Sequence, residues 1–114
     1  MIEFTSEEAM QAAAKLYLAT QKENFPNAQA VINVKTGPMS VMTLSIYESY
    51  EEAEKNLVGK NKYLDAVAIT IKDTFYYEGD LHYFFQDPNA EIISEYTEKD
   101  RLLFEAERKA EKSG

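Results

Sequence analysis

The chain contains no cysteine, which excludes disulfide bonds, thiol nucleophiles, zinc fingers and iron–sulfur clusters. Its one histidine, His82, cannot make a metal site alone, and no His-x-x-x-His or Asp-x-Asp-x-Asp pattern occurs. The four glycines form no Gly-x-Gly-x-x-Gly motif and no phosphate loop, and Gly-x-Ser-x-Gly is missing. We therefore expect no metal and no cofactor, and neither dinucleotide nor phosphoryl-transfer chemistry.

Basic residues are also scarce. The net charge is −8, and no Lys or Arg lies between Lys72 and Lys99. A nucleic-acid partner needs a basic stripe, and anionic membranes attract basic segments, so we expect neither partner. No apolar run approaches the ~20 residues that span a bilayer. The start, Met-Ile-Glu-Phe, lacks the basic and apolar regions of a signal peptide, which predicts a cytoplasmic protein.

What the sequence does contain is a strand-to-helix transition that occurs twice. Residues 2–4 and 44–47 have strand character, and each is followed by Ser or Thr with Glu three residues later. In that spacing the hydroxyl caps the amide of the Glu, which marks a helix start. The sequence predicts helices over residues 6–25 and 50–58, ended by Pro26 and Gly59 respectively.

Alternation predicts the strands. Residues 28–36 and 40–47 alternate in polarity around a Gly-Pro turn, which predicts an antiparallel hairpin. The aromatic run 80–86 predicts the last strand. Residues 62–75 fit both a helix and a strand; the helix is preferred because the fold needs it. A final helix is expected from Thr97, with Asp100, to about residue 112.

The resulting order is β-α-β-β-α-β in a single 114-residue α+β domain, with a core over 2–86 and a C-terminal extension over 87–114. Its two helices can cover only one face of a four-stranded antiparallel sheet. We expect them to cover an apolar set, which comprises Ala30, Ile32, Val34, Met42, Leu44, Ile46, Leu81, Tyr83 and Phe85. The opposite, open face would carry a mixed set, which comprises Val31, Asn33, Lys35, Val41, Thr43, Ser45, Tyr47, His82 and Phe84. Such a mixed surface indicates an interface or a pocket.

This element order, the capped sequence 49–53 after an alternating strand and the Glu78-Gly79-Asp80 turn resemble the dimeric α+β barrel proteins over residues 2–86. These are ferredoxin-like domains, typified by antibiotic-biosynthesis monooxygenases. The resemblance implies a homodimer in which two sheets pack face to face and each half-barrel can hold a small ligand. Members that act as oxygenases or degrade haem use Asn, Trp and His, or Tyr and Arg. This chain has no Trp, its Asn33 is on the second strand and its His82 on the last, so no residue carries over.

The polar members of the mixed set are the candidate site. His82 titrates near neutral pH, so it is either a general acid/base in the cavity or a hydrogen-bonded histidine at the dimer seam. Lys35 either holds an anionic head group or is solvated. The remaining polar residues orient a ligand or make cross-strand hydrogen bonds. The candidate ligand-binding residues are Asn33, Lys35, Thr43, Ser45, Tyr47, His82 and Phe84.

Three functions remain open. The first is a homodimeric protein that binds a small, largely apolar molecule with one polar end. The second is a cofactor-independent monooxygenase or small-molecule isomerase with His82 and Tyr47 as its catalytic residues. The third is a protein-interaction domain in which the mixed set only makes the dimer and the C-terminal helix recruits another protein.

Overall fold

The computed structural model describes residues 1–113, which form an α+β structure with one four-stranded antiparallel sheet and four α-helices. The elements in chain order are β1 (Ile2–Phe4), α1 (Glu7–Asn24), β2 (Ala30–Gly37), β3 (Ser40–Ile46), α2 (Tyr50–Lys55), α3 (Leu57–Val67), a 3-10 turn (Ala68–Thr70), β4 (Ile71–Thr74) and α4 (Glu98–Ser113). The strands lie in the order β2-β3-β1-β4, and all neighbours are antiparallel. The two longest strands therefore occupy one half of the sheet, and the two shortest occupy the other half.

The predicted helix starts are confirmed, with one shift. The Ser49 hydroxyl accepts a hydrogen bond of 3.2 Å from the amide of Glu52, as the capping pattern requires. At the first helix the cap is Ser6 rather than Thr5, and its hydroxyl accepts from the amide of Ala9 at 3.1 Å. Thr97 begins α4: its amide donates to Asp100 Oδ2 at 2.7 Å. Local hydroxyl and carboxylate groups thus decide where these helices begin.

The central hairpin is confirmed, and its register sorts the side chains. Ile32 pairs with Leu44 and Val34 with Met42, while Asn33 pairs with Thr43 on the opposite face. Because successive side chains of a strand point to opposite faces, the apolar and mixed sets do lie on separate faces of β2 and β3. The alternation therefore identifies which residues share a face.

The second helical region differs from its prediction. The helix expected over 50–58 ends at Lys55, and the helix expected over 62–75 ends at Val67 and is followed by β4. Gly59 lies inside α3 rather than capping a helix: a Cβ there would be 1.9 Å from the Asn24 backbone oxygen. The glycine therefore allows α3 to touch the end of α1, which a cap assignment could not reveal.

The predicted last strand over 80–86 is wrong. The last strand is β4, which fills the free edge of the three-residue β1 through pairs such as Ile2 with Thr74. Met1 and Phe75 extend this pairing by two backbone hydrogen bonds of 2.7 and 2.9 Å. Residues 75–97 form neither helix nor strand. The aromatic run consequently leaves its large side chains exposed, including Leu81, Tyr83 and Phe85.

The assignment of the two sheet faces is also wrong. The buried core comprises Phe4, Met10, Ala13, Tyr17, Phe25, Tyr63 and Val67. Val31 and Val41, from the mixed set, pack against it, and Val41 lies beside Ile2 in the sheet. The helices therefore lie on the side of the mixed set, because β1 presents Ile2 and Phe4 on that side, although Asn33, Lys35 and Thr43 stay exposed. The apolar set is open to solvent instead, with Ile32, Val34, Met42 and Leu44 between 45% and 55% exposed.

The C-terminal helix packs against α1 largely through charged side chains. Lys15 of α1 forms an ion pair of 3.2 Å with Glu107, and its ammonium lies 5.1 Å from the centre of the Phe104 ring. Arg101 is 5% exposed and is paired with Glu98 at 2.7 Å and Glu105 at 2.8 Å. Within residues 1–113, no helix has the length and apolar character needed to cross a membrane.

Candidate functional site: a cleft on the covered side of the sheet

A cleft of about 1750 Å³ lies on the helix side of the sheet. Its floor is the covered face of β2 and β3, and its walls are α1 and the α2–α3 region. Stretches of the irregular segment, 75–81 and 92–96, complete the rim. The cleft exists because β2 and β3 are longer than β1 and β4, so the helices that pack over the short strands leave part of the floor uncovered.

The floor of the cleft carries most of the polar mixed set. Asn33, Thr43, Ser45 and Tyr47 all line it. The Thr43 hydroxyl donates a hydrogen bond of 2.6 Å to Asn33 Oδ1, so these two cross-strand partners are held together. Because the Asn33 amide nitrogen is left free of that bond, the pair can still offer a donor to a ligand.

The wall towards α1 is aromatic. The ring of Tyr17 packs 5.4 Å from Phe25 and 5.3 Å, edge to face, from Tyr63. The Tyr63 hydroxyl donates to the Ala13 carbonyl at 3.1 Å, whereas the buried Tyr17 hydroxyl has no hydrogen-bond partner. Burial raises the pKa of Tyr17 to about 12, although the nearby Ser45 side chain acts in the opposite direction. Tyr17 is therefore a neutral donor at physiological pH, with the Ser45 side chain nearby but without a hydrogen bond of good geometry.

A second unpaired group lies at the junction of α2 and α3. Asn56 is 3% exposed, and neither its side-chain nitrogen nor its side-chain oxygen has a hydrogen-bond partner. It precedes α3 but makes no side-chain cap for that helix. Buried polar groups are normally hydrogen-bonded, so the two free amide atoms of Asn56 need a structural explanation.

A lysine that packs on a tyrosine ring forms a charged part of the cleft wall. The Lys60 ammonium lies 3.1 Å from the centre of the Tyr76 ring, and the Tyr76 hydroxyl donates to Glu78 Oε1 at 2.7 Å. Burial lowers the pKa of Lys60, and the charge of Glu78 partly opposes this. Burial and the hydrogen bond to Glu78 raise the pKa of Tyr76 to about 12. The arrangement places a positive charge on the cleft wall.

The structure brings together five of the seven sequence-predicted ligand residues. Asn33, Lys35, Thr43, Ser45 and Tyr47 line the same cleft, on the covered face rather than the open one. His82 and Phe84 are exposed and belong to the irregular segment, and the lining does not include them. Tyr47 and His82, the two catalytic candidates, are therefore not both in this cleft.

Four lining residues were missed by the sequence reasoning. Tyr17, Lys60 and Tyr76 looked like ordinary core or surface positions, and no spacing rule sets them apart. Asn56 carried a weak signal: an Asn inside an apparent helical stretch favours a break or cap, and the helix does break there. Only the tertiary structure shows that its side chain is buried.

The chemistry available in the cleft is that of tyrosine, amide, hydroxyl, lysine and carboxylate groups, the carboxylates being those of Glu48, Glu78, Asp80 and Glu95. No group of three or more His, Asp or Glu residues suited to a metal ion occurs among residues 1–113. Comparison of the chain with protein-family models, curated proteins and solved structures found no match. The resemblance to the dimeric α+β barrel proteins therefore stays a prediction.

Proposed function

We propose that the protein binds a small organic molecule in the cleft, with an apolar or aromatic body and a polar end that reaches Tyr17 and Asn56. The observation that carries the proposal is that both side chains line the cleft and hold buried polar atoms without partners. Ligand sites generally combine apolar walls with a few such convergent polar groups.

The energetics of these groups support the proposal. A buried donor or acceptor without a partner costs about 1–3 kcal/mol. A ligand that bonds to Asn56 and Tyr17 would recover part of this cost, and aromatic walls at Tyr17 and Phe25 suit a flat apolar body. The cost of the empty site is then offset in the bound state.

The test compares two asparagines of the same helical region. Asn56→Leu removes the unpaired amide, while Asn61→Leu makes the same change at an exposed position outside the lining. We expect Asn56→Leu to weaken the binding of naphthalene-based amides and acids about tenfold or more, as measured by NMR titration. Asn61→Leu should leave it unchanged. The proposal fails if no member of the series binds, or if the two variants bind equally well.

We further propose that the subunit has the ferredoxin-like arrangement and pairs with a second copy through its open face. The β-α-β-β element order and the antiparallel order β2-β3-β1-β4 support the arrangement. Support for pairing comes from the exposed apolar set on β2 and β3. Full burial of an exposed side chain of this kind is worth roughly 1.5–3 kcal/mol, so each of these half-exposed side chains would gain about half as much, less the entropic cost of association.

Two adjacent substitutions test this pairing. Leu44→Asp places a charge on the open face, and Thr43→Asp places the same charge one residue away on the covered face. Sedimentation at micromolar concentration should show a dimer for the wild type and for Thr43→Asp, and a monomer for Leu44→Asp. A monomeric wild type would refute the proposed pairing.

A further inference from the structure

The aromatic run over residues 80–86 has no main-chain partner in its own chain. Within residues 1–113, no backbone hydrogen bond joins residues 76–86 to another backbone group. Leu81, Tyr83 and Phe85 are each more than half exposed. Residues 81–86 contain no charged residue, no glycine and no proline. Exposed segments with this composition and strong β-propensity readily add to the edge of a sheet.

The sheet has one long edge that can take another strand. β2 (Ala30–Gly37) ends the order β2-β3-β1-β4, so among residues 1–113 its only strand neighbour is β3. Residues 32–36 are all exposed, which shows that no other element covers this stretch. The opposite edge, β4, is four residues long and is too short for the whole run. The β2 edge therefore offers the run a row of unpaired backbone groups.

One antiparallel register matches the run to β2 on both faces of the sheet. Apolar side chains meet on the open face, and one polar pair and one apolar pair meet on the other face. The pairs are Leu81–Val34, Tyr83–Ile32, Phe85–Ala30, His82–Asn33 and Phe84–Val31. A shift by two residues would place Phe84 opposite Gln29 or Asn33, and a shift by one would exchange the faces. The match is therefore specific to this register.

The charges fit the same register, which places Asp80 opposite Lys35, the only charged residue of β2. A lysine on an edge strand hinders pairing with unrelated strands, and an acid opposite it removes that obstacle. In the single chain the Asp80 carboxylate interacts with the exposed Tyr50 hydroxyl, and its remaining lone pairs can accept from an ammonium. Two runs paired with each other would instead bring the acidic ends, Asp80 and Asp87, together.

Building on the pairing of two copies proposed above, we propose that residues 80–86 of each copy add a strand to the β2 edge of the other copy. The run follows β4, which lies at the far edge of its own sheet with β1 and β3 in between. Its own β2 is therefore the less accessible edge, and the same edge of a second copy is the occupant that fits.

The surface that this exchange covers is large enough to matter. The three rings of the run, Tyr83, Phe84 and Phe85, expose roughly 400 Å² per copy. Each partner of a stable dimer buries about 800 Å². The added strand would also lie beside Ile32 and Val34, so it continues the open face through which the two copies are proposed to pair.

Cysteine cross-linking tests the exchange, because the chain has no cysteine of its own. Full-length Asn33→Cys and ¹⁵N-labelled His82→Cys are mixed, unfolded, refolded together and mildly oxidised. We expect mass spectrometry to show a product with one chain of each kind, since opposite residues of paired strands lie within disulfide reach. Val34→Cys mixed with His82→Cys is the matched control, because residue 34 faces the other side of the sheet. It should give at least about fivefold less product.

Charge reversal tests the register. Lys35→Glu places like charges opposite each other and should weaken dimerisation about two- to fivefold, as measured by sedimentation over a range of concentrations. Adding Asp80→Lys to Lys35→Glu restores opposite charges and should recover the affinity of the wild type.

The outcomes separate the exchange from the pairing. A monomeric wild type refutes both. A dimer whose Asn33→Cys and His82→Cys chains link no better than the control keeps the pairing and overturns the exchange. The exchange is also overturned if a chain with both cysteines links only within itself, or if two His82→Cys chains link preferentially to each other. A charge reversal that Asp80→Lys does not rescue overturns the register.

Discussion

The two faces of the sheet differ in the opposite sense to simple hydrophobic sorting. The helix side of the sheet carries Asn33, Thr43 and Ser45 on the floor of the cleft, while the open face carries Ile32, Leu44 and their apolar neighbours. Apolar burial on the covered side is concentrated at the short strands, where Phe4 is 1% exposed. The lesson is that one face can contain both the core and a polar cleft, side by side, when its strands differ in length.

The largest effect is expected when a large apolar side chain is shortened to alanine on each face of the sheet. Phe4→Ala removes the most deeply buried large side chain and should lower the free energy of unfolding by about 3–5 kcal/mol. Leu44→Ala, on the open face, should lower it by only about 1 kcal/mol in an isolated subunit. Urea unfolding followed by circular dichroism measures both. Equal losses would mean that the open face is as well packed as the core.

The next test concerns the contact that holds α3 over the covered face. Gly59→Ala places a Cβ 1.9 Å from the Asn24 backbone oxygen, so α3 must move. We expect a loss of about 3 kcal/mol in the free energy of unfolding. Gly79→Ala is the matched control, because a Cβ at Gly79 has no neighbour within 4 Å. A tolerated Gly59→Ala would contradict the close approach of α1 and α3.

Alkaline pH tests the burial of the tyrosines beneath the helices. The pKa of Tyr17 is raised from 10.0 in the unfolded chain to about 12 in the folded one. Its neutral form is therefore favoured by folding, and this stability is fully present below pH 10 and is lost as the pH rises towards 12. Between these pH values the free energy of unfolding of Tyr17→Phe should fall less steeply with pH than that of the wild type. Denaturant unfolding at a series of pH values measures both. Parallel curves would contradict a buried hydroxyl.

The smallest effect is expected at the floor of the cleft. Thr43→Val removes the hydroxyl that donates to Asn33 across the strands, and should cost about 0.5 kcal/mol. A double-mutant cycle with Asn33→Ala isolates the pair, because the coupling should vanish once either partner is gone. Coupling close to zero would show that the cleft floor is not organised by this bond.

The helix starts and the central hairpin could be predicted from the sequence. Helix starts follow from Ser49 and Thr97, because capping depends on groups three residues apart. The hairpin follows from alternation around Gly37-Pro38. Both signals are short-range, so the residues that carry them stand close together in the chain.

The long-range features were predicted less well, for a physical reason. Alternation shows that Ile32 and Leu44 share a face, but which face the helices cover depends on how β1 presents Phe4. The β-propensity of residues 80–86 did not decide their structure, since β4 rather than this run pairs with the remaining edge of β1. Five residues of the site were found because they share a face of the hairpin. Tyr17, Asn56 and Lys60 could not be found, since helix packing decides their positions.

The attachment of α4 has a consequence for how the chain responds to its solvent. Ion pairs such as Lys15–Glu107 and Arg108–Glu23, which contribute to fastening this helix to α1, are partly exposed. Dissolved ions weaken exposed charge pairs, whereas strongly hydrated salts such as sulfate reinforce apolar burial. Concentrated sodium sulfate should therefore weaken the attachment of α4 while it stabilises the apolar core of the rest of the chain. Unfolding would then occur in two steps, with α4 detaching before the rest unfolds.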